Sequence, residues 1–201
     1  MQECNDYTKH KELINYYSNN ILKGKKKGDF RVELYLDKRE TSEVFIVETE
    51  GEYLDEMYYG TVGTYPYDID LEVDNKPLRV EFVAVAQKEY ELFPNILSTC
   101  CFHIINSHFA CYPGVVYPNV IKLFYPEFNM KHLMLTNPYT WDSEFTLDMG
   151  DCMVTWLEAL PVSDSEYEYI REHGSDAFED YLEQQEVDLL DLNRPSVILH
   201  N

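Results

Sequence analysis

The chain has 201 residues, enough for one substantial hydrophobic core and short for two independent ones. Hydrophobic residues make up 45% and aromatics 14%, which excludes a disordered acidic tail as a description of the whole. Its 37 acidic and 16 basic residues leave a formal charge of −21, a field that repels nucleic acid and anionic lipid and attracts basic partners.

Met1-Gln2-Glu3-Cys4 begins polar and leads into a charged helix, so no secretory signal peptide is expected. No stretch approaches the roughly 20 apolar residues needed to span a bilayer. Leu13, Ile14, Tyr17, Ile21 and Leu22 recur at helical spacing and predict an amphipathic helix over residues 5–22. It ends at Gly24, inside the basic run Lys23-Gly24-Lys25-Lys26-Lys27-Gly28, which is expected to be a solvated loop.

Strand patterns follow. Residues 30–36 alternate with period 2, and Glu43 to Val47 is rich in β-branched and aromatic residues. Met57 to Thr64 reads as a strand in which Gly60 and Gly63 mark a bend or bulge. Asp68 to Val73 and Leu78 to Val85 alternate on either side of Asp74-Asn75-Lys76-Pro77, the pattern of a hairpin whose arms each have one face buried and one wet. A central helix is predicted from Leu92 to Phe109, with Pro94 tolerated in its first turn. Its residues Phe93, Ile96, Leu97, Cys100, Cys101, Ile104, Ile105 and Phe109 form an apolar stripe fit to pack on a sheet.

Short strands are expected at Val120 to Phe124 and at His132 to Leu135, and a buried one at Met153 to Leu160 that Pro161 stops. Ser163-Asp164-Ser165-Glu166 fits a capping box and opens a helix that Gly174 closes. Ser175-Asp176 starts another, running to about Gln185. With no repeat, linker or break in composition, residues 1–201 are expected to form one α+β domain: a mixed, largely antiparallel sheet packed on a central helix, with an amino-terminal helix and acidic carboxy-terminal helices.

Catalytic patterns are weak. Cys100, Cys101, His103, His108 and Cys111 lie close together but form no CxxC, HxxxH or HExxH pattern, and the cysteines fall on the apolar stripe. The five cysteines, Cys4 and Cys152 among them, lack a disulfide framework and read as reduced thiols of a cytoplasmic protein. A thiol nucleophile needs an electropositive setting, and these surroundings are apolar or acidic. Pairs such as Glu48/Glu50 and Asp68/Asp70 are expected by chance among 37 acids, and could sit on a solvated sheet face. Gly60-Thr61-Val62-Gly63-Thr64 lacks the lysine of a phosphate-binding loop. No catalytic residue, metal or cofactor is therefore selected.

The main anomaly is Val162 to Asp191. It holds eleven acids (Asp164, Glu166, Glu168, Glu172, Asp176, Glu179, Asp180, Glu183, Glu186, Asp188 and Asp191) against the single base Arg171, a net of −10. Tyr167, Tyr169, Phe178 and Tyr181 interleave with them. A solvated amphipathic face accounts for part of this. Yet like charges one turn apart each cost a few tenths of a kcal/mol, which points to a basic partner.

Several runs resemble the suppressor of fused family. They are Trp156-Leu157-Glu158-Ala159-Leu160-Pro161-Val162 with Glu166-Tyr167-Glu168, then Glu172 to Glu179, then Asp191-Leu192-Asn193-Arg194-Pro195-Ser196-Val197. Tyr59 to Gly63, Thr99 to Asn106, Pro113 to Pro118 and Lys131 to Trp141 are similar to the same family, so the likeness spans about residues 30 to 200. The resemblance implies a non-enzymatic domain that binds proteins. The animal namesake sequesters a transcription factor by gripping an extended peptide. Short bacterial members, which lack the further domain of the animal protein as this chain is expected to, are associated with immunity to polymorphic toxins, many of them nucleases.

The expectation is thus a cytoplasmic immunity protein, an antitoxin that neutralises a cognate and basic protein toxin, in particular a nuclease. The alternative is a regulatory protein that sequesters a basic or peptide-bearing partner through a sheet edge. Asp164, Glu168, Glu172, Asp176, Glu179, Asp180 and Glu183 are the predicted partner contacts, with Tyr167 and Tyr181 as aromatic anchors. Neither nucleic acid nor membrane is an expected partner.

Overall fold

Period-2 segments from across the chain assemble into one sheet in the computed structural model, which describes residues 7–23, 29–51, 55–138, 141, 145–185 and 187–198. Along the sheet the order is β1 (Arg31–Leu36), β2 (Glu43–Glu50), β3 (Glu56–Val62), β5 (Lys76–Gln87), β9 (Met153–Ser163), β7 (Met130–Thr136) and β6 (Val116–Tyr117). β4 (Glu72–Val73) pairs with β5, and β8 (Thr146–Asp148) with β9. Every pairing is antiparallel except β5 with β9, where Leu78 to Val83 run parallel to Met153 to Glu158. The expected α+β class and largely antiparallel sheet are both present.

Because successive strand residues face opposite ways, β9 serves two layers. Leu157 and Ala159 pack with α2 (Phe93–Ser107), whose Phe93, Ile96, Leu97, Cys100, Cys101 and Ile104 form the predicted stripe. Val154 and Trp156 face the opposite layer, against Leu13 and Tyr17 of the amino-terminal helix. Leu160 and Val162, farther along that face, meet Ile170 of α3 (Asp164–His173) and Phe178 and Leu182 of α4 (Ser175–Glu183). Burying each such side chain contributes about 1.5–3 kcal/mol, so both helical layers are strongly held.

Several boundaries differ from expectation for local reasons. The first helix is α1 (Tyr7–Tyr16) followed by one π turn (Tyr17–Ile21), in which the Leu22 N–H donates to the Tyr17 carbonyl at 2.9 Å. Only Glu72–Val73 of the expected hairpin arm is a strand; Asp74 and Asn75 turn it with φ of 52° and 60°, and Asp70 is also left-handed. Val120 to Phe124 is not a strand. Asn119 has φ 61°, and the Leu123 and Phe124 N–H groups donate to the Asn119 and Ile121 carbonyls in successive turns. The central helix stops at Ser107 because His108 is left-handed, φ 49°.

Pro161 does not stop β9, which runs on to Ser163. Beyond Glu158 the strand has β7 on one side and no β5 on the other. The Pro161 carbonyl accepts from Arg194 Nη2 at 3.2 Å, so the missing N–H, on the same side of the chain, costs no ladder bond. Of the residues singled out in the sequence, Cys4, Gly24 to Gly28, Tyr139, Thr140 and Glu186 lie outside the described residues.

The first glycine of the Gly60-Gly63 pair is no bend. Gly60 sits in regular register with Val47 and Val83, and a Cβ there would lie 2.5 Å from the Tyr17 ring. Tyr17, fully buried in the π turn, thus uses the space a side chain would take. Gly60→Ala should lower stability by about 1–3 kcal/mol through overpacking. Chemical denaturation checks this, and Tyr17→Leu should make the two losses clearly non-additive.

Candidate protein-binding surface

The acidic helices are placed by a capping box and a buried ion pair. Ser163 Oγ accepts from the Glu166 N–H at 3.2 Å, and Glu166 Oε2 accepts from the Ser163 N–H at 2.9 Å. Glu166 is fully buried and meets the guanidinium of Arg194, itself 2% exposed, in a two-point contact: Nη1 to Oε1 2.6 Å, Nη2 to Oε2 3.0 Å. The Val197 N–H adds a further bond to Oε1 at 3.0 Å. A planar guanidinium matches a carboxylate in this way better than an ammonium can.

With that end fixed, α3 exposes Asp164, Glu168 and Glu172, which recur every fourth residue along one stripe. α4 exposes Asp176, Asp180 and Glu183 on a second stripe. The other predicted contacts are partly engaged in the fold. Glu179 is half-buried and accepts from the buried Thr136 hydroxyl at 2.7 Å. Half-buried Tyr181 lies 6.1 Å from Tyr169, and half-buried Tyr167 lies 4.8 Å from the His132 ring with the Arg171 guanidinium 5.9 Å above it.

Asp164 also has a structural partner. His132, 3% exposed on β7, accepts from the Asn119 N–H at Nδ1 (2.9 Å), which leaves Nε2 to donate to Asp164 Oδ1 at 2.9 Å. Burial holds the imidazole below its ordinary pKa of 6.5, with Lys122 and Lys131 adding to the effect and Asp164 opposing it.

A third acidic feature joins distant segments. Asp55, Glu56, Gln87, Glu89, Asp188 and Leu190 line a cavity of about 530 Å³, where Gln87 Nε2 donates to Asp188 Oδ2 at 3.0 Å. A smaller cavity of about 140 Å³ shares Glu56 and Leu190 with it and is lined also by Glu158, 6% exposed. Sequence reading missed this groove because its acids are far apart along the chain.

The remaining suspects have structural roles. Glu81, fully buried, accepts from the Thr61 hydroxyl at 2.6 Å and from three successive N–H groups, Gly63, Thr64 and Tyr65, at 2.8, 2.9 and 3.0 Å. The glycine-rich loop therefore cradles a carboxylate of its own chain, and Gly63 needs its φ of 149° to aim those groups. Glu48 is buried against Arg31, whereas Glu50 is exposed and pairs with Lys88, so the two do not share a solvated face. Asp68 and Asp70 lie in a loop, with Asp68 paired to Arg79 at 2.9 Å. Cys100, Cys101, Cys111 and Cys152 are buried, and burial raises each thiol, Cys111 to about 12. Among the described residues no group of three or more His, Cys, Asp or Glu could hold a metal ion, and no helix is long and apolar enough to cross a membrane.

Two outcomes are expected from this geometry. Arg194→Ala strands a buried carboxylate and should cost about 3–5 kcal/mol in denaturation, while Glu166→Leu with Arg194→Met should cost much less. Folded His132 holds a proton less well than the unfolded residue does. Its contribution is therefore full above the unfolded value of 6.5 and is lost as pH falls below it, where only the unfolded chain takes up the proton. His132→Gln should flatten the decline of stability with pH between about 7 and 5, measured by denaturant midpoints at each pH.

Comparison with known proteins agrees with this architecture. The chain is 38% identical over 173 residues to the immunity protein YqcF of Bacillus subtilis, covering 85% of this chain and 90% of that protein. Among solved structures, a suppressor of fused homologue from Neisseria gonorrhoeae superposes with a TM-score of 0.74 at 15% identity, over 96% of this chain and 100% of that one. A Sufu–Fu complex gives 0.58 at 12% identity, over 87% and 84% of the two chains. Drosophila Suppressor of Fused gives 0.53 at 14%, over 77% of this chain and 42% of that one. The family model for the suppressor of fused protein matches residues 42–195, and the chain belongs to that family.

Proposed function

We propose that this chain is an immunity protein that acts as a single suppressor-of-fused-like domain, binding a cognate toxin in the cytoplasm and blocking it without catalysis. The observation that carries this reading is the acidic surface: two exposed carboxylate stripes on α3 and α4, and an acidic groove that includes Asp188. The likeness to the immunity protein YqcF supports the same role. The toxin is a protein with a basic cleft, and a nuclease fits best. A nuclease cleft is shaped for a polyanion, so a dense array of carboxylates competes for it directly. Long-range attraction also speeds capture, which matters when the free target is lethal.

Glu168, Glu172, Asp180 and Glu183 are exposed acids of α3 and α4 on which to test this. Co-expression with the product of a neighbouring toxin gene should restore growth and yield a complex on pull-down. Reversing those four charges to Lys should slow association by about tenfold or more at low salt, with the gap closing as salt screens the field. A chain that neither protects nor forms the complex overturns the immunity reading. Full protection with an unchanged association rate moves the contact away from α3 and α4.

A further inference from the structure

Natural sheets blunt their edges, because a row of free N–H and C=O groups recruits other strands. Here one edge is β6, only two residues long. The other is β1, six residues in unbroken register with β2 and without proline, lysine or glycine. Among the described residues no strand covers its outer side. Val32, Leu34 and Leu36 are 37%, 50% and 49% exposed. Val32 and Leu34 pair with Val47 and Phe45, so the row lies on the face that α1 covers farther in, and Tyr7, 50% exposed, extends it beside Phe45 at 6.2 Å.

The pattern is self-complementary. A two-fold axis perpendicular to the sheet keeps each face on its own side, so residues opposite each other must both be even-numbered or both odd. An axis at Leu34 sets Leu34 against its copy and Val32 against Leu36. On the other face it sets Glu33 against the Tyr35 hydroxyl and Arg31 against Asp37, opposite charges. An axis one residue earlier sets Glu33 against Glu33, which repels. The geometry points to a second copy of this chain as the occupant of the β1 edge, antiparallel and centred on Leu34, joining the two sheets into one. Two bodies of −21 repel at long range, so the dimer gains from screening, opposite to the capture of a basic partner.

Sedimentation equilibrium of the full chain over a range of protein and salt concentrations tests this. The expected mass rises toward twice 23.8 kDa with protein concentration, and further with added salt. Leu34→Lys places two ammonium groups on the axis and should weaken the dimer by about tenfold or more, with unchanged circular dichroism. Should that variant misfold, Leu34→Cys provides a second route: mild oxidation should give a cross-linked dimer in high yield, and Glu33→Cys should not. The proposal is overturned by a chain that stays monomeric throughout, by a dimer that Leu34→Lys leaves intact, or by equal cross-linking at both positions. It is likewise overturned if the chain is monomeric and Leu34→Lys instead abolishes capture of a different protein.

Discussion

The buried pair of Glu166 and Arg194 is the contact on which the acidic end of the molecule depends. Two charges taken from water are held together largely by the hydrogen bonds that meet their remaining capacity. Here the carboxylate receives two guanidinium donors and the N–H groups of Ser163 and Val197, and the guanidinium also reaches the Pro161 carbonyl, with only its buried Nε unmatched. One cluster thereby ties the end of β9, the first turn of α3 and the last described residues to one another. It also explains why a proline can sit inside a strand there. At the helix start the Ser163 and Glu166 N–H groups are satisfied from within the chain.

Glu81 and Glu48 extend the same logic through the sheet. Both are buried, one held by a nest of backbone N–H groups and the other by Arg31. Charge on this chain is therefore divided. Some carboxylates act as internal fasteners whose removal would weaken the fold, and only the exposed remainder forms the external field. Eleven acids between Val162 and Asp191 look alike in the sequence, yet Glu166 is a fastener, Glu179 and Asp164 have partners in the sheet, and Glu168, Glu172, Asp180 and Glu183 face outward.

Legibility in the sequence followed the range of the interaction. The stripe on α2 and the capping box at Ser163 are local signals, and each appears where the pattern predicts it, whereas β5, expected to have one wet face, buries Val80 to Ala84 on both. Failures arose where a distant group decided the outcome. Pro161 stays in a strand because Arg194 arrives from thirty-odd residues away. Gly60 is required by a tyrosine in the first helix, and Gly63 by a glutamate two strands along. Val120 to Phe124 has the composition of a strand, but Asn119 enters it through a left-handed turn and the segment coils. The acidic groove was invisible for the same reason, since residues 55–56, 87–89, 158 and 188 meet only after the sheet has formed.

Strong net charge and a bare apolar edge make opposing demands on one molecule. Attraction of a basic partner is greatest at low ionic strength and acts over about a Debye length. Strand pairing acts only at contact, through backbone hydrogen bonds and the Val32, Leu34 and Leu36 row, and must first overcome repulsion between two like-charged bodies. The exposed acids of α3 and α4 cluster around the β7–β9 end, whereas β1 lies at the other end of the strand order. That separation lowers the local repulsion at the edge and leaves the carboxylate stripes clear of it. On the proposed readings, one sheet would present a partner-facing end and a self-facing end, each governed by a different range of force.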